Sequence, residues 1–274
     1  MMQWSKPSSL VFAVWGLLAI AGCSSSDDNN EAVQWISYSG NTSMAAIIDQ
    51  SANNANDIAT GINSSLAYVK DFEALLFALG KVVNGQYGHC DGSYTFQYSE
   101  NSGAIHNFSN FCIKVGLDTY RFDGLINSFT AADGADVVRM RDFSFTKNNT
   151  SFSFDATSKE TSTTISVDYI GNDGNSYRMQ NLDIRISQTD AGFKDVIGGR
   201  FFHPIHGYVD IASFDPVTTA ADPLFYEMCN TRELPTAGTI FIGASDDAAF
   251  IQYQSCSDYM VCYQQGMICN TLLW

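Results

Sequence analysis

The sequence is poor in positive charge. It has 14 lysine and arginine residues against 29 aspartate and glutamate residues, which gives a formal net charge of −15. Surfaces that bind nucleic acids or anionic lipids carry clusters of basic side chains. The composition therefore argues against such a surface, and we expect no nucleic-acid partner.

The sequence also lacks the motifs of several large enzyme classes. It contains no G-x-S-x-G nucleophile elbow, no H-E-x-x-H zinc-binding pattern and no glycine-rich phosphate loop between a strand and a helix. Only four histidines are present. A Ser-His-Asp triad is defined by geometry rather than spacing, but so few histidines make it a poor expectation. We expect no catalytic residues and no cofactor.

His203 and His206 form the one closely spaced histidine pair. Three residues apart on a strand, their rings would lie on opposite faces, but Pro204 predicts a turn or strand start in which the rings can converge. With Asp210 or Asp215 as a carboxylate partner, the pair would form a metal or catalytic site. The simpler interpretation is two histidines beside an ordinary turn.

Long apolar runs are missing as well. The longest signal-like run, Leu10–Ile20, has eleven residues. At about 1.5 Å per residue a helix of this length covers about half of the ~30 Å hydrocarbon core of a membrane. The run follows Lys6 and precedes the small residues Ala21 and Gly22, which is the arrangement of an export signal. We expect residues 1–22 to be a signal peptide.

The segment Ile20-Ala21-Gly22-Cys23 resembles the lipobox of bacterial lipoproteins. The resemblance implies diacylglycerol on the Cys23 thiol, cleavage after Gly22 and acylation of the new N-terminus. Several acyl chains anchor a protein firmly because each buried methylene contributes about 0.8 kcal/mol. The polar residues that follow predict a flexible tether over 23–40. Ser24 implies, by resemblance to Gram-negative sorting rules, the outer membrane, on its periplasmic or cell-surface side.

Six cysteines remain when Cys23 is set aside. An even number in an oxidising compartment predicts three disulfides, for which fifteen pairings exist. Cys90 and Cys112 flank one predicted hairpin and are expected to pair, and the other four are expected to form two bridges near the C-terminus. Zinc binding is the less favoured alternative, because CxxC pairs are missing. The six residues are Cys90, Cys112, Cys229, Cys256, Cys262 and Cys269.

Apolar residues recur every three or four positions between Asn41 and Val83, which predicts an amphipathic helix. Gly80 or Gly85 would end it. The first half is rich in asparagine and glycine, which are poor helix formers. A break near Gly61 would therefore give a helix pair that presents the same face.

From Cys90 onward the apolar period changes to two, which predicts strands separated by short polar turns. Apolar parity switches between Met179 and Leu182, which predicts a bulge around Asn181. The turn at 171–175 has oxygen donors and glycine but not the twelve-residue calcium loop, so a hairpin turn explains it better. The predicted strands cover 94–98, 105–113, 120–126, 137–145, 152–154, 165–169, 177–186, 207–214, 239–243 and 250–253.

These elements predict an α+β fold: an N-terminal amphipathic helix or helix pair packed on a curled, mostly antiparallel β-meander of about eight to ten strands. The longest non-periodic segment, 216–238, is expected to be a loop. We expect one disulfide-stapled domain over 41–274. Its architecture resembles the lipid- and lipoprotein-binding half-barrels of the periplasm over 41–215. The stretches 206–211 and 234–238 resemble uncharacterised proteobacterial lipoproteins, which implies no particular activity.

The favoured function is a non-enzymatic binding or structural module of the envelope, anchored to the outer membrane through Cys23. Its expected partners are the membrane and either a hydrophobic ligand or an envelope protein. One alternative is a carrier that holds a lipid or acyl chain in an aromatic-lined half-barrel. Another is an envelope hydrolase or metal-dependent enzyme that uses His203 and His206.

Overall fold

The computed structural model describes residues 35–47, 53–100, 102–189, 192–213, 220–230, 232–244, 247–263 and 268–274. Within these ranges the chain forms one helix and fourteen strands. They are α1 (Asn53–Val83), β1 (Gly88–Ser99), β2 (Gly103–Val115), β3 (Asp118–Thr130), β4 (Asp136–Lys147), β5 (Thr150–Glu160), β6 (Ile165–Ile170), β7 (Ser176–Thr189), β8 (Gly192–His203), β9 (Gly207–Ala212), β10 (Phe225–Cys229), β11 (Arg232–Ala244), β12 (Asp247–Tyr253), β13 (Asp258–Tyr263) and β14 (Ile268–Leu273).

The expectation of a mostly antiparallel sheet with a helix packed against it is confirmed, but the details differ. The described residues contain a single helix rather than a pair, and four more strands than predicted: β8, β10, β13 and β14. The strand β8 carries two consecutive glycines, and β13 has a nearly continuous apolar sequence, so neither shows a clean alternation. Most of the predicted 216–238 loop that the structure describes belongs to β10 and β11.

The chain forms two compact units. Unit 1 comprises the residues up to Ile36 together with Phe72–Thr157, and unit 2 comprises Ser37–Asp71 together with Ser158–Trp274. The helix α1 contributes residues 53–71 to unit 2 and residues 72–83 to unit 1. The domain expected over 41–274 therefore contains two units with cores of their own.

Unit 1 is built on β1–β5, which follow one another as neighbours in the sheet. Six phenylalanine rings form its core, and each exposes 4% of its surface or less. Burial of one such side chain contributes roughly 1.5–3 kcal/mol. Phe72 of α1 packs on this cluster, with its ring centroid 6.2 Å from that of Phe154. The six rings belong to Phe108, Phe111, Phe122, Phe143, Phe145 and Phe154.

In unit 2 the strands contact more than one side of α1. The hydroxyl of Tyr169 on β6 lies 2.7 Å from Ser65 Oγ, and Tyr253 on β12 donates a 2.5 Å hydrogen bond to Asn63 Oδ1. Residues two apart on a helix point about 200° apart. Between Ile58 and Asp71, only two residues of the helix are exposed. This part of α1 is therefore buried around most of its circumference.

The helix is continuous through Gly61, so the predicted break does not occur. A Cβ at this position would lie 2.8 Å from Phe201 Cζ and 3.2 Å from His203 Cδ2. The glycine thus lets two buried rings of β8 approach the helix backbone. Asn63 accepts its hydrogen bond from the sheet, which offsets its low helix propensity.

The two ends of the predicted helix differ in their outcome. Gly85 ends the helix as expected, with φ of +63° and the 6→1 and 5→2 hydrogen bonds of a Schellman motif, Gln86 N to Lys81 O and Gly85 N to Val82 O. The start was wrong, because residues 41–47 are not helical and α1 begins at Asn53. The 41–47 segment instead bonds to the β8–β9 region, which satisfies its backbone groups there.

Bulges recur along the sheet, and each has the same kind of support. Asn181 has φ of +52° at the predicted bulge, and its N–H donates to Ser166 Oγ at 3.0 Å. The register shift between β7 and β8 at Gln180/Asp183 confirms that prediction. Because a bulge leaves one residue out of the ladder, its N–H needs another acceptor, and a side chain on the neighbouring strand supplies it.

In unit 1 this arrangement repeats with a constant spacing. Asn110 N donates to Asp123 Oδ1 at 2.8 Å, and Asp142 N donates to Asp155 Oδ1 at 2.7 Å. Both donors have positive φ, +46° and +47°. The offset is 142 − 110 = 32 residues for the donors and 155 − 123 = 32 for the acceptors. The β2–β3 and β4–β5 hairpins are therefore structural equivalents, which their sequences do not reveal at first reading.

Candidate functional site

The six cysteines predicted to form disulfides do so. The bridge between β1 and β2 is the one expected from the hairpin, and the other four residues form two bridges near the C-terminus, as predicted. The thiols are thus oxidised rather than arranged as zinc ligands. Cys23, predicted to be lipidated, lies outside the described residues. The pairs are Cys90–Cys112, Cys229–Cys256 and Cys262–Cys269.

The candidate histidines His203 and His206 meet in the turn between β8 and β9. Their rings stack with centroids 4.6 Å apart and an interplanar angle of 28°. His203 is the last residue of β8 and His206 immediately precedes β9. The turn therefore brings together two rings that a regular strand would have placed on opposite faces.

His203 shapes the turn as a neutral hydrogen-bond acceptor. Its Nδ1 accepts from the backbone N–H groups of Ile205 and His206, both at 3.3 Å. Burial, with a smaller contribution from His206, lowers the pKa of His203 to about 4. A neutral ring that accepts at Nδ1 carries its proton on Nε2. The ring is thus committed to the turn backbone.

The carboxylate partner of His206 is Asp57 on α1. Their Nε2 and Oδ2 atoms lie 3.2 Å apart, although the residues are 149 positions apart in sequence. Sequence reasoning named Asp210 and Asp215 instead. Asp210 pairs with Arg200 at 2.7 Å, and Asp215 lies outside the described residues. No local pattern pointed to Asp57, since its partner is set by where α1 crosses the turn.

Tyr38 joins the same turn from the N-terminal side. Its backbone N–H donates to Asp168 Oδ2 at 2.9 Å, and its hydroxyl lies 3.1 Å from the carbonyl oxygen of His203. Arg178 holds Asp168 with two hydrogen bonds of 2.6 and 2.8 Å. Burial, opposed by the Arg178 guanidinium, raises the pKa of Tyr38 to about 12, so the hydroxyl stays protonated. Tyr38, expected within the tether, is thus fixed to unit 2.

The chain after Tyr38 continues along β9. Tyr208 N donates to Ser43 O at 2.8 Å, and Ala45 N donates to Tyr208 O at 2.9 Å. Gly207 has φ of +96°, and a Cβ there would collide with the Ser43 carbonyl oxygen. Only glycine accepts both conditions without strain. We call Tyr38–Ala45, with the contacts just described, the N-terminal clasp.

The 171–175 turn is a hairpin turn, as predicted. Asp173 Oδ1 accepts from Asn175 N at 3.0 Å, and its Oδ2 accepts from Tyr177 Oη at 2.7 Å. Burial raises the pKa of Asp173, but the hydrogen bonds from Asn175 and Tyr177 outweigh it and lower the pKa overall. The oxygens that a calcium ion would need are engaged within the hairpin.

Among the residues that the structure describes, no three His, Cys, Asp or Glu side chains are placed to hold a metal ion. In that same part of the chain, no helix is long and apolar enough to cross a membrane. No protein-family model, curated protein or solved structure matches the chain. The histidine turn therefore has to be interpreted from its own geometry, and that geometry is a clasp between α1, the β8–β9 turn and the N-terminal segment.

Proposed function

We propose that this protein is a lipid-anchored module of the outer membrane that acts by binding or scaffolding rather than by catalysis. The observation that carries the extracytoplasmic part is the set of three disulfides, which form in oxidising compartments and are rare in the cytosol. The lipobox resemblance at Cys23 supplies the anchor.

The histidine turn supports a non-enzymatic function. His203 Nδ1 is occupied by two backbone N–H groups, and His206 Nε2 faces the Asp57 carboxylate. A general base must be within hydrogen-bond reach of the nucleophile or water that it deprotonates. Here the hydrogen bonds formed by both rings hold the turn in place.

The clasp also suggests how the domain sits relative to its anchor. Tyr38 is the first residue hydrogen-bonded to unit 2 by its backbone. A fully extended tether between Cys23 and Tyr38 reaches about 50 Å, at about 3.4 Å per residue. The domain would be held near the membrane but with enough freedom to meet a partner at the surface.

The carrier alternative receives no comparable support. The aromatic faces on which it was based are packed against other groups: Phe201 contacts α1 at Gly61, and Phe108 contacts Phe122 and Phe143 with centroids 5.3 and 5.9 Å apart. A ligand site needs a cavity of roughly 300–1,000 Å³. In the described core, side chains occupy the space that the acyl chain was expected to fill.

The anchor is tested by expressing the full chain with Cys23→Ala and following the mature protein. Metabolic labelling with a fatty-acid analogue should label the wild type and not the variant, and the variant should move from the membrane to the soluble fraction. Ser24→Asp serves as the matched control. It should keep the label but shift the protein toward the inner membrane. Labelling that persists in Cys23→Ala would refute the anchor.

The disulfides give an independent test of the compartment. Non-reducing peptide mapping of the protein from intact envelopes should yield the three linked pairs. Free thiols at all six positions would contradict an extracytoplasmic location, whatever the fate of Cys23.

A further inference from the structure

The last strand of unit 2, β14, is held straight along its length. The Cys262–Cys269 disulfide ties its start to β13, and the two cysteines are also direct partners in the register. At its end the ring of Trp274 stacks on Tyr253, with centroids 5.9 Å apart, and Trp274 N donates to Ser257 O at 3.2 Å. A strand fixed at both ends needs little further ordering to accept a partner.

The register shows which backbone groups of β14 point away from β13. The Cα atoms of Cys262 and Cys269 lie 4.1 Å apart, which is the spacing of a non-hydrogen-bonded antiparallel pair. Hydrogen-bonded and non-hydrogen-bonded pairs alternate along a strand. The N–H and C=O of Thr271 and Leu273 therefore point outward, and the Trp274–Ser257 bond fits the same alternation. Within the described part of the chain, β14 pairs with β13 alone.

This edge lacks the usual protection. Natural edge strands carry charged side chains, proline or bulges that prevent pairing with another chain. The sequence of β14, Ile-Cys-Asn-Thr-Leu-Leu, has no charge and no proline, and its pairing with β13 shows no register shift. Leu273 is 77% exposed. The edge strand of unit 1, β1, differs, since it carries Asp91 and has two register shifts beside that residue.

We propose that β14 pairs antiparallel with β14 of a second copy of this chain, around a twofold axis at Thr271. The occupant is a second copy because the strand is charge-free, while the chain carries a net charge of −15. Two copies therefore repel each other least along this strand. An isologous contact also closes on itself and gives a dimer rather than a filament. The pairing does not depend on the lipid anchor.

The register of such a dimer is fixed. Thr271 faces Thr271 of the second copy as a hydrogen-bonded pair, with Cα atoms about 5.5 Å apart. This separation lies within the range of a disulfide. The variant Thr271→Cys in the full chain, analysed on non-reducing gels of intact envelopes, should therefore give a covalent dimer that disappears on reduction. Leu117→Cys is the matched control, because Leu117 is fully exposed at the β2–β3 turn, away from the edge. It should remain monomeric.

A second pair of variants tests the hydrogen bonds themselves. Thr271→Pro removes an outward N–H that β13 does not use, whereas Thr271→Ala keeps it. Sedimentation of the purified detergent-solubilised protein should show a dimer for the wild type and Thr271→Ala, and at least a tenfold weaker one for Thr271→Pro. Peptide mapping of the Cys262–Cys269 bridge checks that the hairpin is intact. A wild type that stays monomeric and gives no cross-link, or a Thr271→Cys adduct with a different protein, would overturn the proposal.

Discussion

Gly61 offers a sharp test of how α1 packs in unit 2. Replacement of glycine by alanine inside a helix normally stabilises a protein by about 0.5–1 kcal/mol. Here the added Cβ would lie 2.8 Å from Phe201 Cζ and 3.2 Å from His203 Cδ2. Both rings are buried, so neither can swing away, and forced overpacking costs about 1–3 kcal/mol. We expect Gly61→Ala to lower the free energy of unfolding by about 1 kcal/mol net.

The measurement is urea denaturation of the oxidised protein. Ser64→Ala is the matched control, because Ser64 is exposed on the same helix and its replacement should be neutral or slightly stabilising. The double variant Gly61→Ala/Phe201→Leu should recover part of the loss, since the smaller side chain makes room for the Cβ. If Gly61→Ala stabilised the protein as Ser64→Ala does, the close approach of β8 to the helix would be refuted.

The remaining predictions concern protonation and the bulges. Because the folded-state pKa of His203 is about 4 and the ordinary value is 6.5, the unfolded chain binds more protons between these values, so stability should fall as pH drops from about 6.5 to 4, by about 3 kcal/mol for this residue. His203→Gln should flatten that part of the profile of unfolding free energy against pH, and an unchanged slope would contradict a buried neutral ring. Asp155→Ala should cost about 1 kcal/mol and speed hydrogen exchange at the Asp142 amide, because that N–H loses its acceptor, whereas Asp155→Asn should retain most of the protection.

Parts of the fold that depend on local pattern were predictable from the sequence. The switch of apolar period near Cys90 marked the change from helix to strands, and the parity change beside Leu182 located the bulge at Asn181. The Cys90–Cys112 bridge followed from the hairpin that the two residues flank. In each case the signal and the structure lie within about 25 residues of each other.

Features set by long-range packing were not predictable in the same way. Gly61 indicated a break because helix propensity was considered alone, whereas the approach of β8 to α1 decides its role. The partner of His206 is Asp57, 149 residues away, and nothing in the spacing of either residue indicates the other. The strand β8 was missed because Gly198 and Gly199 interrupt its alternation. The histidine pair was therefore identified from sequence, but its environment was not.

The 32-residue spacing of the supported bulges bears on how such a sheet can change its size. Each of the β2–β3 and β4–β5 hairpins carries its own bulged residue and its own acceptor, Asn110 with Asp123 and Asp142 with Asp155. The local bend is therefore encoded inside the hairpin and does not rely on distant residues. A chain built this way can gain or lose a whole hairpin by duplication or deletion of one segment while the flanking strands keep their curvature. Sheet width, in this protein, is a property that evolution can adjust in steps of one hairpin.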